Sequence, residues 1–393
     1  MGPGFAASVL LLFTLSAQEA RFSSGLEHFY NLEYQQAIAD FRKDIAANPD
    51  AAAGYNHLAM AILYREMLRS GALESELVSG TNPFLRRARM NPSPEDQREF
   101  SEAIERSMSL SRARLNRAPK DTQALYTLGV AYGLRANYNF LVRKAWMDSL
   151  RDITMARKLH NQVTALDPSM VDARLTQGVH DYVVGSLPWH VRLVGFLAGF
   201  RGDKQKGIQT LEQVALRGDQ NRVDAEVLLC AIYRRERLVR KAAPLLEDLI
   251  ERFPRNYILR FEAAQVYADL GDGARALATI KKIEALKASG HPGYADLPPE
   301  KIYYARGTIQ FWYRELDQAL DNLARVAANA ENLDLNTGTY AWLRIGQIHD
   351  LKGRRPQAVE AYRRAVQLAP DSDAARLARE YLATPYRREK TGG

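Results

Sequence analysis

Trp342-x-x-Ile345-Gly346-x-x-His349, followed by Ala358-x-x-x-Tyr362, Ala365 and Pro370, decides how residues 338–370 fold. Counted within that stretch, Gly346 stands at position 8 and Ala358 at position 20, and two small residues so placed let a pair of helices touch. Trp342, His349 and Tyr362, at positions 4, 11 and 24, are large enough to fill the space around that contact. Pro370 at position 32 lacks the amide hydrogen a helix needs to continue. The stretch reads as two antiparallel helices closed by a stop.

Copies of the pattern run through the chain. Using position 8 as anchor, Gly25 with Ala37, Phe41 and Pro49 forms the first, and Ala59 with Tyr55 and Leu58 the second. Gly129 with Leu125, Leu128 and Tyr132 anchors the third, and Gly178 the fourth. Cys230 with Ala242 and Pro254, Ala264 with Ala276, and Gly307 with Ala319 anchor the next three, and Gly346 the eighth. The anchors are separated by 34, 70, 49, 52, 34, 43 and 39 residues, so everything beyond 34 is inserted. Insertions fall near 72–93, 186–201 and 288–298, the last around the turn-rich Ser289-Gly-His-Pro-Gly-Tyr294. After the first, Ser93-Pro94-x-Asp96 predicts an N-cap, a proline at N1 and an acid at N3. The third copy's second helix is expected to run from about Asn139 to Leu166, and Pro244 predicts a kink or a late helix start.

These residues and offsets resemble the tetratricopeptide repeat (TPR) family, and the resemblance covers roughly 22–385. It implies an all-α fold: a right-handed TPR superhelical solenoid of about eight helix pairs. Ser372 to Leu382 reads as an amphipathic capping helix, which a stack of repeats needs over its open apolar end. Residues 21–385 then form the solenoid and 386–393 a basic flexible tail. No segment shows the two-residue alternation of a strand.

Residues 1–20 stand apart. Phe5 to Ala17 is a 13-residue apolar run ending in small residues, the layout of a secretory signal peptide, although no Lys or Arg precedes Arg21. The run is shorter than the ~20 residues a membrane-spanning helix needs. Export to a bacterial-type periplasm or cell envelope is the expectation, with a cytoplasmic protein as the alternative if the run is not a signal.

Catalytic chemistry is hard to find. The seven histidines form no HExxH and no Cys/His cluster, so no catalytic residue, metal or cofactor is assigned. His28 and His349 fall at the packing position 11, His180 and Asp181 are neighbours pointing apart on a helix, and Cys230 fills the small-residue position 8. Gly195 to Gly207 lacks the hydroxyl after Lys204 that a phosphate loop requires; Gly202 and Asp203 read as the stop and N-cap around a helix 204–216. The net charge of +8 arises from small basic groups interspersed with acids, not from a continuous stripe with stacking aromatics, so no nucleic acid is expected.

The TPR resemblance implies a ligand groove lined mainly by positions 2, 5, 9 and 12 of each first helix. Members that clamp chaperone carboxylates use Lys at 5 and Asn at 9 of one unit, and no unit here has that pair. Arg234, Phe261, Tyr304, Phe311, Tyr340 and Gln347 are the candidate groove residues, an aromatic strip with one cation of the kind favoured in protein interfaces. Ordinary packing inside the repeats is the other reading of the strip. Residues 182–212 also resemble a eukaryotic TPR family of outer-mitochondrial-membrane and lipid-droplet-associated proteins, which implies a non-enzymatic role near membranes. Trp189, Phe196 and Phe200 of that insert either touch a membrane or partner, or fold back onto neighbouring repeats. The function expected is a non-catalytic scaffold holding a peptide or protein segment, the alternative a membrane-peripheral, lipid-associated organiser.

Overall fold

The computed structural model describes residues 24–73, 90–187 and 201–388. The apolar N-terminal run, most of the 72–93 insertion, the insert bearing Trp189, Phe196 and Phe200, and 389–393 lie outside the described residues. Among the described residues every regular element is helical. The chain divides into two units: the first holds residues to Met67 and Arg89–Ile232, the second Leu68–Ala88 and everything from Tyr233.

In the first unit α1 (24–30) and α2 (Tyr34–Ala47) are followed by α3 (Ala52–Arg69), α4 (Pro94–Arg117), α5 (Thr122–Tyr138) and α6 (Trp146–Leu166). Then come α7 (Arg174–Gly185), α8 (Lys204–Arg217) and α9 (Arg222–Arg235), whose last turn belongs to the second unit. The second unit continues with α10 (Val239–Arg252), α11 (Tyr257–Asp269), α12 (Gly273–Ala288) and α13 (Pro299–Trp312). It ends in α14 (Leu316–Ala327), α15 (Leu335–Leu351), α16 (Arg355–Leu368) and α17 (Asp373–Ala383).

The small-residue anchors are where helices meet. A methyl group added to Gly25 would lie 2.5 Å from the Phe41 ring, one on Gly307 2.9 Å from Leu323, and one on Gly346 2.5 Å from Tyr362. Each partner stands 16 residues after its glycine, the offset between positions 8 and 24. The two long repeats keep the contact and stretch the connection: Gly178 meets Leu211, and Gly129 meets His160. Buried among these contacts are Ala37, Ala242, Ala276, Ala319 and Ala358, all at position 20 of their pairs and fully shielded.

Five connections share a geometry that the sequence reading overlooked. Leu32, Arg237, Gly271, Arg314 and Gly353 all have positive φ, and each lies seven residues after its anchor. The following amide returns to a carbonyl five residues back, as in Glu33 to His28, Leu238 to Tyr233 and Arg354 to His349. This is a Schellman stop, which satisfies carbonyls that a helix end leaves without donors. Three of the five sites carry a residue with a Cβ, and without glycine the turn is not visible as a motif.

Several expectations need correction. Asn139–Leu166 is not one helix: Asn139–Arg143 is a π turn, Lys144 is left-handed, and α6 starts at Trp146. The side chain of Asp152, buried on α6, holds this break by accepting from Arg135 at 2.6 and 2.8 Å and from Asn139 at 3.0 Å. Helix α10 starts at Val239, ahead of Pro244, and runs through it, so there is no late start. His180 and Asp181 do not point apart; their side chains approach to 3.5 Å beside Arg157. The 288–298 link is turn-rich, as expected, and is anchored by Tyr294, which is fully buried, accepts from Arg260 at 2.7 Å and donates to the Pro254 carbonyl at 3.1 Å.

Other expectations match the structure. Ser93 caps α4 by accepting from the Asp96 amide at 3.1 Å, with Pro94 at the first position. Asp203 caps α8 from the Lys206 amide at 2.9 Å. Ser372 caps α17, whose Ala374, Ala375 and Ala378 are buried against α15 and α16. Cys230 is buried at its anchor position, and His28 and His349 are half-buried.

Candidate partner-binding face of the second unit

The candidate groove residues all lie in the second unit, on α9, α11, α13 and α15, and they divide into two groups. Phe261, Tyr304 and Tyr340 are half-buried, one on each of three successive first helices. Phe261 meets Tyr257 edge-on at 6.1 Å, Tyr304 rests on the core around Leu323 and Ile345, and Tyr340 on the core around Tyr362. These three rings combine an anchored base with an accessible edge.

The other three do not offer themselves to a ligand in this form. Arg234 is enclosed, donating to Glu262 at 2.9 Å and to Asp269 at 3.0 Å. Burial works against its charge, and the two carboxylates outweigh that and hold the guanidinium above its usual value. Its cation is thus used inside the unit. Phe311 is completely buried, and Gln347 is buried while accepting from Arg344 at 2.8 Å. Position 12 was read as groove-facing for Phe311, but Arg344 of the next first helix lies 4.9 Å above its ring and covers it.

Around Arg344 a second set of groups gathers that the sequence reading did not select. Trp312 remains 44% exposed, with Arg344 4.9 Å from its ring. Asp350, whose side chain is 1% exposed, accepts from Arg355 at 3.0 and 3.1 Å and from the Tyr362 hydroxyl at 2.8 Å. Arg355 also donates to the carbonyls of Tyr381 and Leu382, both at 2.8 Å, and so fastens the end of α17. A third donor reaches Asp350 from beyond α17: the backbone amide of Tyr386, at 2.8 Å. The tail was expected to be flexible from 386, yet Tyr386 and Arg388 are packed here.

At the N-terminal end of α15, Lys301 pairs with Asp334 at 2.8 Å with both side chains nearly enclosed. Burial raises the Asp334 carboxyl, but Lys301 and Thr337 more than offset it and keep the group below the usual carboxylate range. Asp334 also caps α15 through the Thr337 amide at 3.0 Å. The face is therefore framed by fixed charges on both ends of one helix.

Among the described residues no group of three His, Cys, Asp or Glu is placed to hold a metal ion, and no helix is long and apolar enough to cross a membrane. Rows of half-buried aromatics on repeated helix pairs define a repeat scaffold for protein interactions. Two segments, 232–291 and 339–372, match family models described as tetratricopeptide repeat. The chain carries tetratricopeptide repeats in these two segments, and such repeats support protein or peptide partners.

Three solved structures are similar to the chain at low sequence identity. The yeast Tom70 crystal structure is 11% identical, with a TM-score of 0.42 over 89% of this chain and 85% of that one. The Cut9–Hcn1 hetero-tetramer of the APC/C is 13% identical at TM-score 0.49, covering 94% of this chain and 55% of that one. YrrB, described as a TPR protein with an unusual peptide-binding site, is 16% identical at TM-score 0.32, covering 69% of this chain and 97% of that one. No curated protein sequence matches the chain.

Proposed function

We propose that the chain is a non-catalytic scaffold that holds an extended protein or peptide segment against the first helices of its second unit. The observation that carries this reading is the row Phe261, Tyr304 and Tyr340, half-buried on three successive first helices, of which Phe261 and Tyr340 lie inside the matched segments. Aromatic rings seated on a rigid core lose little conformational freedom on binding, which is why such residues dominate interface energetics. The test is affinity capture with the full chain, followed by titration of the purified captured protein. Tyr304→Ala plus Tyr340→Ala should weaken that binding at least tenfold while far-UV circular dichroism stays unchanged; unaltered affinity would sink the reading.

The place of action is proposed as a bacterial-type cell envelope. The 13-residue apolar run Phe5–Ala17 supports it. Sequencing the N-terminus of the mature protein tests it, and retention of Met1 to Ala17 would reject export.

A further inference from the structure

The segment after α17 packs against the same core cluster as Tyr304. Thr384 leaves the helix with extended backbone, φ −131° and ψ 121°. From there exposure alternates: Pro385 and Arg387 face solvent, while Tyr386 and Arg388 turn inward. Residues two apart share a side in an extended chain, so one short run presents both inward groups together.

Each inward group meets a feature suited to it. The Tyr386 amide donates to the buried Asp350 carboxylate, and its ring packs 5.1 Å from Tyr381 and 6.3 Å from Phe311. The Arg388 guanidinium donates to the Trp312 carbonyl at 2.6 Å and lies 5.3 Å from the Trp312 ring. Trp312 is the last residue of α13, where carbonyls lack intrahelical donors and the helix dipole is negative. A cation with an aromatic neighbour is what such a helix end recognises.

We propose that the track formed by Trp312, Arg344 and Asp350 is a docking site for an extended partner segment of the form aromatic–any residue–arginine, and that Tyr386-Arg387-Arg388 occupies it as an intramolecular competitor. This rests on the partner-binding reading above and gives it a ligand class and a gate. The nature of its hydrogen bonds separates a competitor from a plain structural strap. Of the tail's polar contacts, one uses its own backbone amide and another a backbone carbonyl of the track. Such bonds accept any extended segment that brings an arginine two residues on. A segment joined directly to α17 competes at a high effective concentration, so a free segment of equal quality binds poorly until the tail is released.

The experiment titrates a fluorescent synthetic peptide with the sequence of residues 383–390 into the full chain and into a full chain carrying Tyr386→Ala plus Arg388→Ala. The released chain is expected to bind the peptide at least tenfold more tightly than wild type. Adding Trp312→Ala to the released chain should lower affinity at least tenfold with the melting temperature held. A peptide with alanine in place of its tyrosine and arginine should not bind. Equal affinity for wild-type and released chains, or no binding to the released chain, overturns the proposal and leaves the tail a strap. Capture of the partner through Tyr304 and Tyr340 is measured separately, so a peptide that fails while that capture persists removes this inference alone.

Discussion

Glycines 129 and 133 sit one turn apart on α5, and alanine at the two positions should move stability in opposite directions. At Gly133 nothing lies within 4 Å of an added methyl group, so Gly133→Ala collects the helix preference of alanine over glycine, ~1 kcal/mol. At Gly129 the methyl group would fall on the His160 imidazole. That ring is fixed: Nε2 donates to the Tyr126 carbonyl at 3.2 Å, Nδ1 accepts from the Thr176 hydroxyl at 2.8 Å, and the ring stacks on Tyr126. Overpacking costs about 1–3 kcal/mol and the two displaced hydrogen bonds about 1 kcal/mol each. Set against the same ~1 kcal/mol propensity gain, Gly129→Ala should destabilise by about 2–4 kcal/mol. Repeat proteins open locally, so the measurement is hydrogen exchange by mass spectrometry on peptides from 122–166, supported by urea unfolding of the full chain. Equal protection in the two variants would refute the claim that the small residue at each anchor exists for helix contact.

The half-buried Asp224 carboxyl, which accepts from the Tyr30 hydroxyl at 3.2 Å, is pushed up to about 6 by its desolvation and by Asp172, the Tyr30 bond opposing. A raised carboxyl favours folding below its unfolded pKa near 3.8 and loses that contribution as pH rises through 6. Asp224→Asn should therefore gain up to ~3 kcal/mol at pH 7 and little at pH 4, read from urea midpoints at the two values. Burial lowers His160 to about 4, so its contribution is intact above pH 6.5 and lost as pH falls through 4; His160→Gln should blunt the acid side of the stability profile. Arg314 is exposed with φ 66°, and Arg314→Gly should stabilise the second unit by about 1 kcal/mol, whereas Gly353→Ala, at φ 69°, should cost about 1–2 kcal/mol by the same unfolding assay. Tyr294→Phe removes a hydroxyl that bonds Arg260 and the Pro254 carbonyl, and should cost about 1–3 kcal/mol; an unchanged melt would mean the 288–298 link is not anchored there.

Steric requirements that act over one helix contact were legible in the residues; those that depend on a neighbour far along the chain were not. Gly25 with Phe41, Gly307 with Leu323 and Gly346 with Tyr362 announce themselves because small and large residues must alternate at fixed offsets. The third repeat shows the limit. Its large partner, His160, arrives 31 residues after Gly129, because a longer α5, the π turn at 139–143 and a longer α6 together supply the excess. Counting offsets therefore placed a helix where the chain breaks. The Schellman stops were hidden for a related reason: Leu32, Arg237 and Arg314 adopt a glycine's backbone without being glycine, and only their shared distance from the anchors betrays them.

Phe311 carries the same lesson to the candidate site. Its position number points toward a groove, but Arg344 covers it from the next repeat and the Arg388 guanidinium lies 5.9 Å from its ring after a return of 77 residues. Sequence spacing assigns a residue to a face of its own helix; whether that face is open depends on what the rest of the chain lays over it. Tyr304 and Tyr340 are only partly buried, where Phe311 is fully so. That difference, rather than the residue type, separates the rings that can meet a partner from the ring that holds the core.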